Sequence, residues 1–149
     1  MNKKPLYLLL ADDDTDDCLF FKEALEDLKI NALLTTVKDG VELMKLLSDK
    51  KLVLPHVLYL DLNMPRKNGF ECLAEIKQNV SLQQLPIIIF STSLDADVVN
   101  LTHQHGADLY VRKPSDFVRL KETISKSLDL ILNFPSEKIP KEMFVVNTV

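Results

Sequence analysis

Apolar and polar positions along the chain follow two rhythms. Residues 6–11, LYLLLA, are apolar almost throughout and follow Pro5, the pattern of a strand buried on both faces. From 15 to 29 the apolar positions Cys18, Phe21, Leu25 and Leu28 recur three or four apart, which predicts a helix. LLTTVKDG (33–40) is β-branched and ends in an Asp-Gly turn pair, so it reads as a second strand. VELMKLLSD (41–49) reads as a short helix. HVLYLDLN (56–63), after Pro55, is a third strand, and NGFECLAEIKQN (68–79) a helix with Phe70, Leu73 and Ile76 on one side. PIIIFSTS (86–93) is a fourth strand. A polar helix over about 95–105 follows, closed by Gly106. DLYVRKP (108–114) is a fifth strand stopped by Pro114. Residues 116–132 are the last helix, with Phe117, Leu120, Ile124, Leu128 and Ile131 on its apolar face.

Five strands alternating with five helices predict an α/β domain over residues 1–132. The expected architecture is a flavodoxin-like, doubly wound, five-stranded parallel sheet of order 2-1-3-4-5 with helices on both faces. Its switch point lies between the first and third strands, and ligands of such sheets bind outside the carboxyl ends of the strands. The extension over 133–149, NFPSEKIPKEMFVVNTV, has two prolines and no period, and reads as an extended arm without an output domain of its own. Phe134, Ile139, Met143, Phe144, Val145 and Val146 make it apolar for a disordered end. Docking on its own domain or on a twofold mate in a homodimer is therefore expected.

Composition narrows the classes. At 149 residues, 46% hydrophobic and 27% charged, the chain is one ordinary globular domain. A net charge of −4 without a basic stripe argues against direct nucleic-acid binding. No apolar run reaches the roughly 18 residues of a membrane span, and the N-terminal run is too short for a signal peptide. A cytoplasmic location is expected. Cys18 and Cys72 stand in no metal or redox spacing and read as buried free thiols. His103 and His105 are two apart on a helix and point to different sides. Together with His56, which shows no partner in the sequence, they read as solvated or partly packed imidazoles.

Chemistry gathers at the strand ends. Asp12 and Asp13 follow the first strand, Asp61 and Asn63 end the third, Ser91 and Thr92 the fourth, and Lys113-Pro114 the fifth. The first and third strands flank the switch point, so their carboxylates converge, and three of them cannot all stay ionised unaided. A hard divalent cation such as Mg²⁺ relieves the repulsion. Asp14, Asp16 and Asp17 have another explanation: they fall at a helix start, where negative charge meets the positive end of the macrodipole. The acidic run therefore splits into a binding pair and a capping group. A cation beside a carboxylate, a hydroxyl and a lysine suits phosphoryl transfer. Asp61 would be the nucleophile, Lys113 would pair with a phosphoryl oxygen, and Ser91 would donate to another.

LLLADDD, LYLDLNMPRKNGFE, PIIIFSTS and YVRKP, in this order over about residues 5–132, resemble the motifs of two-component response-regulator receiver domains. The resemblance implies a signalling module rather than an enzyme. Asp61 would be the phospho-acceptor, served by a sensor histidine kinase or a histidine phosphotransfer protein. It further implies direct Mg²⁺ ligation by Asp13, Asp61 and the backbone carbonyl of Asn63, with Asp12 acting through water. Ser91 takes the place of the switch hydroxyl and Tyr110 that of the aromatic switch, turning inward on phosphorylation. The Lys113-Pro114 bond is expected to be cis. Ser91 stands where threonine is commoner, and Ala11 where a larger aliphatic is common. The long loop KQNVSLQQLP, with DDDTDD, is similar to the stand-alone receivers that include partners of bacterial phytochromes.

Two rivals stand beside this reading. A haloacid-dehalogenase-type phosphatase also uses a strand-end aspartate, Mg²⁺, Ser/Thr and Lys. It needs a second aspartate two residues after the nucleophile, where this chain has Asn63, and its nucleophile ends the first strand rather than the third. A degenerate receiver acting as an unphosphorylated binding module would not retain the full set of acceptor-site residues. The 17 residues after 132 are too few for a helix-turn-helix, so output is expected through the domain's own surface or a dimer.

Overall fold

The computed structural model of the chain describes residues 5–134 and 139–146. Strands and helices alternate as β1 (Leu6–Ala11), α1 (Thr15–Asp27), β2 (Ala32–Val37), α2 (Gly40–Leu47), β3 (Val57–Leu60), α3 (Gly69–Gln78), β4 (Ile87–Ser91), α4 (Ala96–Gln104), β5 (Leu109–Arg112) and α5 (Phe117–Asn133). A single 3₁₀ turn, Lys141–Met143, then leads into a last strand, β6 (Val145–Val146). All neighbours in the sheet run parallel, in the order β2-β1-β3-β4-β5-β6. The flavodoxin-like α/β fold and the order of its first five strands are those the sequence predicts. The sixth strand is not, and the arm thus returns to complete the sheet.

The continuous apolar runs have a direct cause, since each central strand feeds two cores. Leu8, Leu10, Val57, Tyr59, Ile88, Phe90 and Val111 face α1 and α5, where they meet Phe21, Leu25, Ile124 and Leu128. Leu9, Ala11, Leu58, Leu60, Ile87, Ile89 and Tyr110 face the other way, onto Leu43 and Leu47 of α2 and Cys72, Leu73 and Ile76 of α3. Alternate side chains of a strand point to opposite faces, so no polar position is left free in the middle of the sheet. In the first core the rings of Phe21, Tyr59 and Phe90 meet edge to face at 4.9, 5.7 and 6.1 Å. Tyr59 and Ser127 share a buried hydrogen bond of 2.6 Å that ties β3 to α5.

Short polar side chains start every helix. Asp14, Asp39, Asn68, Asp95 and Asp116 are the N-caps of α1 to α5, and each accepts from a backbone N–H of the first turn. Gly106 adopts φ +96° just after α4, as its expected role of helix stop requires. Both cysteines are buried and free. No helix among the described residues is long and apolar enough to cross a membrane.

Two expectations need correction. Among the described residues no peptide bond is cis, so Lys113-Pro114 is trans. Trans is the lower-energy form of an X–Pro bond, and from it the Lys113 side chain already reaches its carboxylate partners. His56 is not without a partner: its Nδ1 accepts from the Tyr7 backbone N–H at 2.9 Å, while its own N–H donates to the Tyr7 carbonyl at 2.8 Å. This clasp joins the entry of β3 to the start of β1.

Candidate functional site

The switch point predicted between the first and third strands exists: β1 and β3 lie side by side, with Ala11 opposite Leu60. The next residues therefore leave the sheet together at its carboxyl edge. The Asp61 N–H donates to the Ala11 carbonyl at 2.9 Å, which carries the pairing one step past the strands. Carboxylate oxygens of Asp12, Asp13 and Asp61 all lie within 4.8 Å of one another. Asp12 and Asp61 are buried and Asp13 is exposed, so the cluster opens to solvent on one side. Gly69, at the start of α3, makes room for this arrangement. A Cβ there would sit 2.3 Å from the Asp61 carbonyl oxygen.

Lys113 arrives from the end of β5. Its backbone N–H donates to the Ser91 carbonyl at 2.8 Å, and its side chain runs over the Phe90 ring, with Nζ 5.4 Å from the centroid. The ammonium stands 2.8 Å from Asp12 Oδ2, 2.9 Å from Asp17 Oδ2 and 3.2 Å from Asp61 Oδ2. It donates hydrogen bonds to Asp17 and Asp61. The approach to Asp12 is an ion pair without that alignment, and among the described residues the Lys113 ammonium is the cation that meets the wholly buried Asp12 Oδ2. The second Asp61 oxygen, Oδ1, accepts from the Asn63 N–H at 3.3 Å.

The electrostatics follow from burial. Desolvation pushes the Asp12 carboxyl up to about 6, although Lys113 and the Asp14 N–H pull it down. Burial by itself would lower the Lys113 ammonium. Its close contacts with the carboxylates of Asp12 and Asp17, and the charges of Asp12 and Asp61, outweigh that and hold it above the ordinary lysine value. Three carboxylates with oxygens within 4.8 Å of one another, two buried and one exposed, are a donor set suited to a hard divalent cation.

Ser91 is buried, and its Oγ accepts from the Ser93 N–H at 3.2 Å. Tyr110 is buried as well, rather than waiting outside for a signal. Its hydroxyl donates to the Ser93 carbonyl at 2.6 Å, and its ring packs against Phe144, with centroids 6.4 Å apart. Burial pushes its phenol above the ordinary value. The arm residue Phe144 is what the motif reading did not supply; it closes the outer side of Tyr110.

Asp17 also departs from the sequence reading. Asp14 is the cap of α1 and accepts from the Asp17 N–H at 3.1 Å, as a capping group should. The Asp17 side chain instead leaves the helix start for Lys113. No local signal distinguishes Asp16 from Asp17. Only the return of β5, 96 residues later, selects one of them.

A family model described as the response regulator receiver domain matches residues 8–125. Response regulator Rcp1 of Synechocystis sp. is 33% identical over 113 residues, which span 73% of this chain and 77% of that protein. The probable methanogenesis regulatory protein FilR2 of Methanothrix harundinacea is 26% identical over 125 residues, 82% of this chain and 81% of its own. Among solved structures, the phosphorylated cyanobacterial phytochrome response regulator RcpA superposes with a TM-score of 0.79 at 28% identity, covering 87% of this chain and 95% of that one. The Mn²⁺-bound form of response regulator Rcp1 gives 0.74 at 30% identity, with coverages of 91% and 98%.

Proposed function

Because this chain belongs to the response regulator receiver domain family of two-component signalling, we propose that it accepts a phosphoryl group on Asp61 from a sensor histidine kinase or a histidine phosphotransfer protein. The observation that carries the reading is the buried Asp61 carboxylate, with Lys113 at 3.2 Å and the acids of β1 within 4.8 Å. In the transfer an Asp61 oxygen attacks the phosphorus of the donor phosphohistidine. The new P–O bond forms as the P–N bond breaks, and the electron pair leaves on the imidazole nitrogen. Hydrolysis later returns the carboxylate.

Each residue then has a task. The Asn63 N–H and the Lys113 ammonium hold the two oxygens of Asp61, so the nucleophile is oriented before the donor arrives. Lys113 stays beside Asp61 to meet negative charge on the transferring group. Asp12, Asp13, Asp61 and the carbonyl of Asn63 would hold Mg²⁺, which when bound neutralises the carboxylates and polarises a phosphoryl oxygen. Ser91 would turn its hydroxyl to the acyl phosphate. Tyr110, already inward, links that motion through Ser93 to the face of α4, β5 and α5.

Residues 1–132 form the receiver in this reading, and 133–149 are an extension whose Val145–Val146 add a strand to its sheet. Similarity to Rcp1 and RcpA, the latter a phytochrome response regulator, supports a phytochrome-type sensor as the kinase. The test is labelling by a phosphodonor with Mg²⁺, followed by chemistry at the label. The wild type should carry a hydroxylamine-labile phosphoryl group, and Asp61→Asn should carry none. Undiminished labelling of Asp61→Asn would move the acceptor elsewhere.

A further inference from the structure

Lys113 has more anionic partners than phosphoryl transfer alone explains. Its ammonium has three N–H donors and meets three carboxylates within 3.2 Å, while its side chain is only 10% exposed. Two of these partners change during the proposed cycle. Asp61 would give up its carboxylate on becoming an acyl phosphate, and Asp12 would help hold the cation. Asp17 is the third, and it is neither the acceptor nor a member of the acid cluster. Its side chain is 34% exposed on the first turn of α1, outside the trio of acids that converge on the cleft.

We propose that Asp17 is a positioning residue of the acceptor site, one that holds the Lys113 ammonium over Asp61 while the other two carboxylates are engaged elsewhere. The inference rests on the phospho-acceptor reading above. The geometry supports a holding role in two ways. The Asp17 contact is a hydrogen bond at 2.9 Å, shorter than the one to Asp61 at 3.2 Å. The backbone beneath it is fixed, since the Asp17 N–H is bound to the Asp14 side chain at 3.1 Å. Without Asp17, the ammonium would settle on Asp12 and Asp61. There it would compete with the cation before transfer, and it would lose its anchor once Asp61 is esterified.

Capping makes a different forecast. Asp16 lies on the same turn, is exposed, and carries the same charge beside the same helix end. A macrodipole effect would therefore be shared by both residues, whereas a positioning effect belongs to Asp17 alone. The experiment compares Asp17→Asn, Asp16→Asn and Asp61→Asn with the wild type. It reads the rate of phosphorylation by acetyl phosphate at saturating Mg²⁺, and the ¹H–¹⁵N signal of the Lys113 ammonium in the Mg²⁺-loaded protein.

Asp17→Asn should slow phosphorylation about tenfold and should broaden the ammonium signal beyond detection. Asp16→Asn should match the wild type in both readouts. The proposal is overturned if Asp17→Asn keeps the wild-type rate and signal, or if both helix-start variants slow alike. Failure of the acceptor reading itself looks different: Asp61→Asn would then still be labelled.

Discussion

The carboxyl edge of β1 and β3 and the outer edge of β5 and β6 are built on opposite principles. At the first, three carboxylates sit together, two of them buried, and desolvation drives the Asp12 carboxyl up to about 6. At the second, Phe144 and Val146 are buried, the Tyr110 N–H donates to the Phe144 carbonyl at 2.8 Å, and His103 packs edge-on to Phe144 at 4.7 Å. One region holds a strained charge distribution ready for a ligand. The other is apolar, paired and satisfied. Function and stability are thus placed at different edges of the same sheet, and substitutions should separate them.

The largest effect is expected at the outer edge. Phe144→Ala removes a ring that fills the space between Tyr110 and α4, and should lower unfolding stability by about 3–5 kcal/mol. Denaturant titration measures this, and Mg²⁺ affinity should stay within a factor of about two because no acid is touched. A loss below about 1 kcal/mol would break the contrast. It would mean that the arm leaves before the domain unfolds, so that the edge adds nothing to global stability.

The acidic edge should respond with the opposite sign. The Asp12 carboxyl rises from 3.8 to about 6 on folding, so between those values the folded state binds more protons than the unfolded one. Stability of the cation-free protein therefore falls as pH rises through that window, and the ionised group costs roughly 3 kcal/mol at pH 7. Asp12→Asn should recover up to about that much at pH 7 without divalent cation, and its stability should depend less on pH between 4 and 6. Saturating Mg²⁺ should narrow or reverse the difference, because the wild type, with all three acids, gains more from binding. Thermal melts with and without Mg²⁺ across that range decide it; a variant less stable than the wild type without Mg²⁺ would show that the Lys113 pair outweighs the burial of the charge.

The two edges also differ in how far the sequence discloses them. Strands β1, β3 and β4 are buried on both faces and so appear as unbroken apolar runs. The acids lie just past the ends of β1 and β3 and Lys113 just past that of β5, where the topology brings them together without further information. Strand β6 is two residues long, too short to show a period, and exists because the edge of β5 offers backbone partners to whatever lies beside it. VV in the arm says apolar; it does not say where. Asp17 was hidden for a related reason. Its neighbours in sequence make it a helix-start charge, and its partner comes from the far end of the chain. The inward Tyr110 likewise depends on tertiary partners, Phe144 and Ser93.

Tyr110 is where the regions touch, and it gives the smallest and most informative prediction. Its ring belongs to the outer edge, while its hydroxyl holds the Ser93 carbonyl in the loop that follows Ser91. Ser93 in turn accepts from the Asp95 N–H at 3.1 Å, and Asp95 caps α4. Tyr110→Phe keeps the ring and removes one hydrogen bond, so it should cost about 1 kcal/mol and should speed amide exchange at Asp95 and Asp97. Combining it with Phe144→Ala then measures the coupling. Additive losses would show that arm and acceptor loop are independent. An interaction energy above about 0.5 kcal/mol would show that the arm's grip on the ring is felt at Ser91, and that a contact absent from the motifs helps set the resting position of the switch.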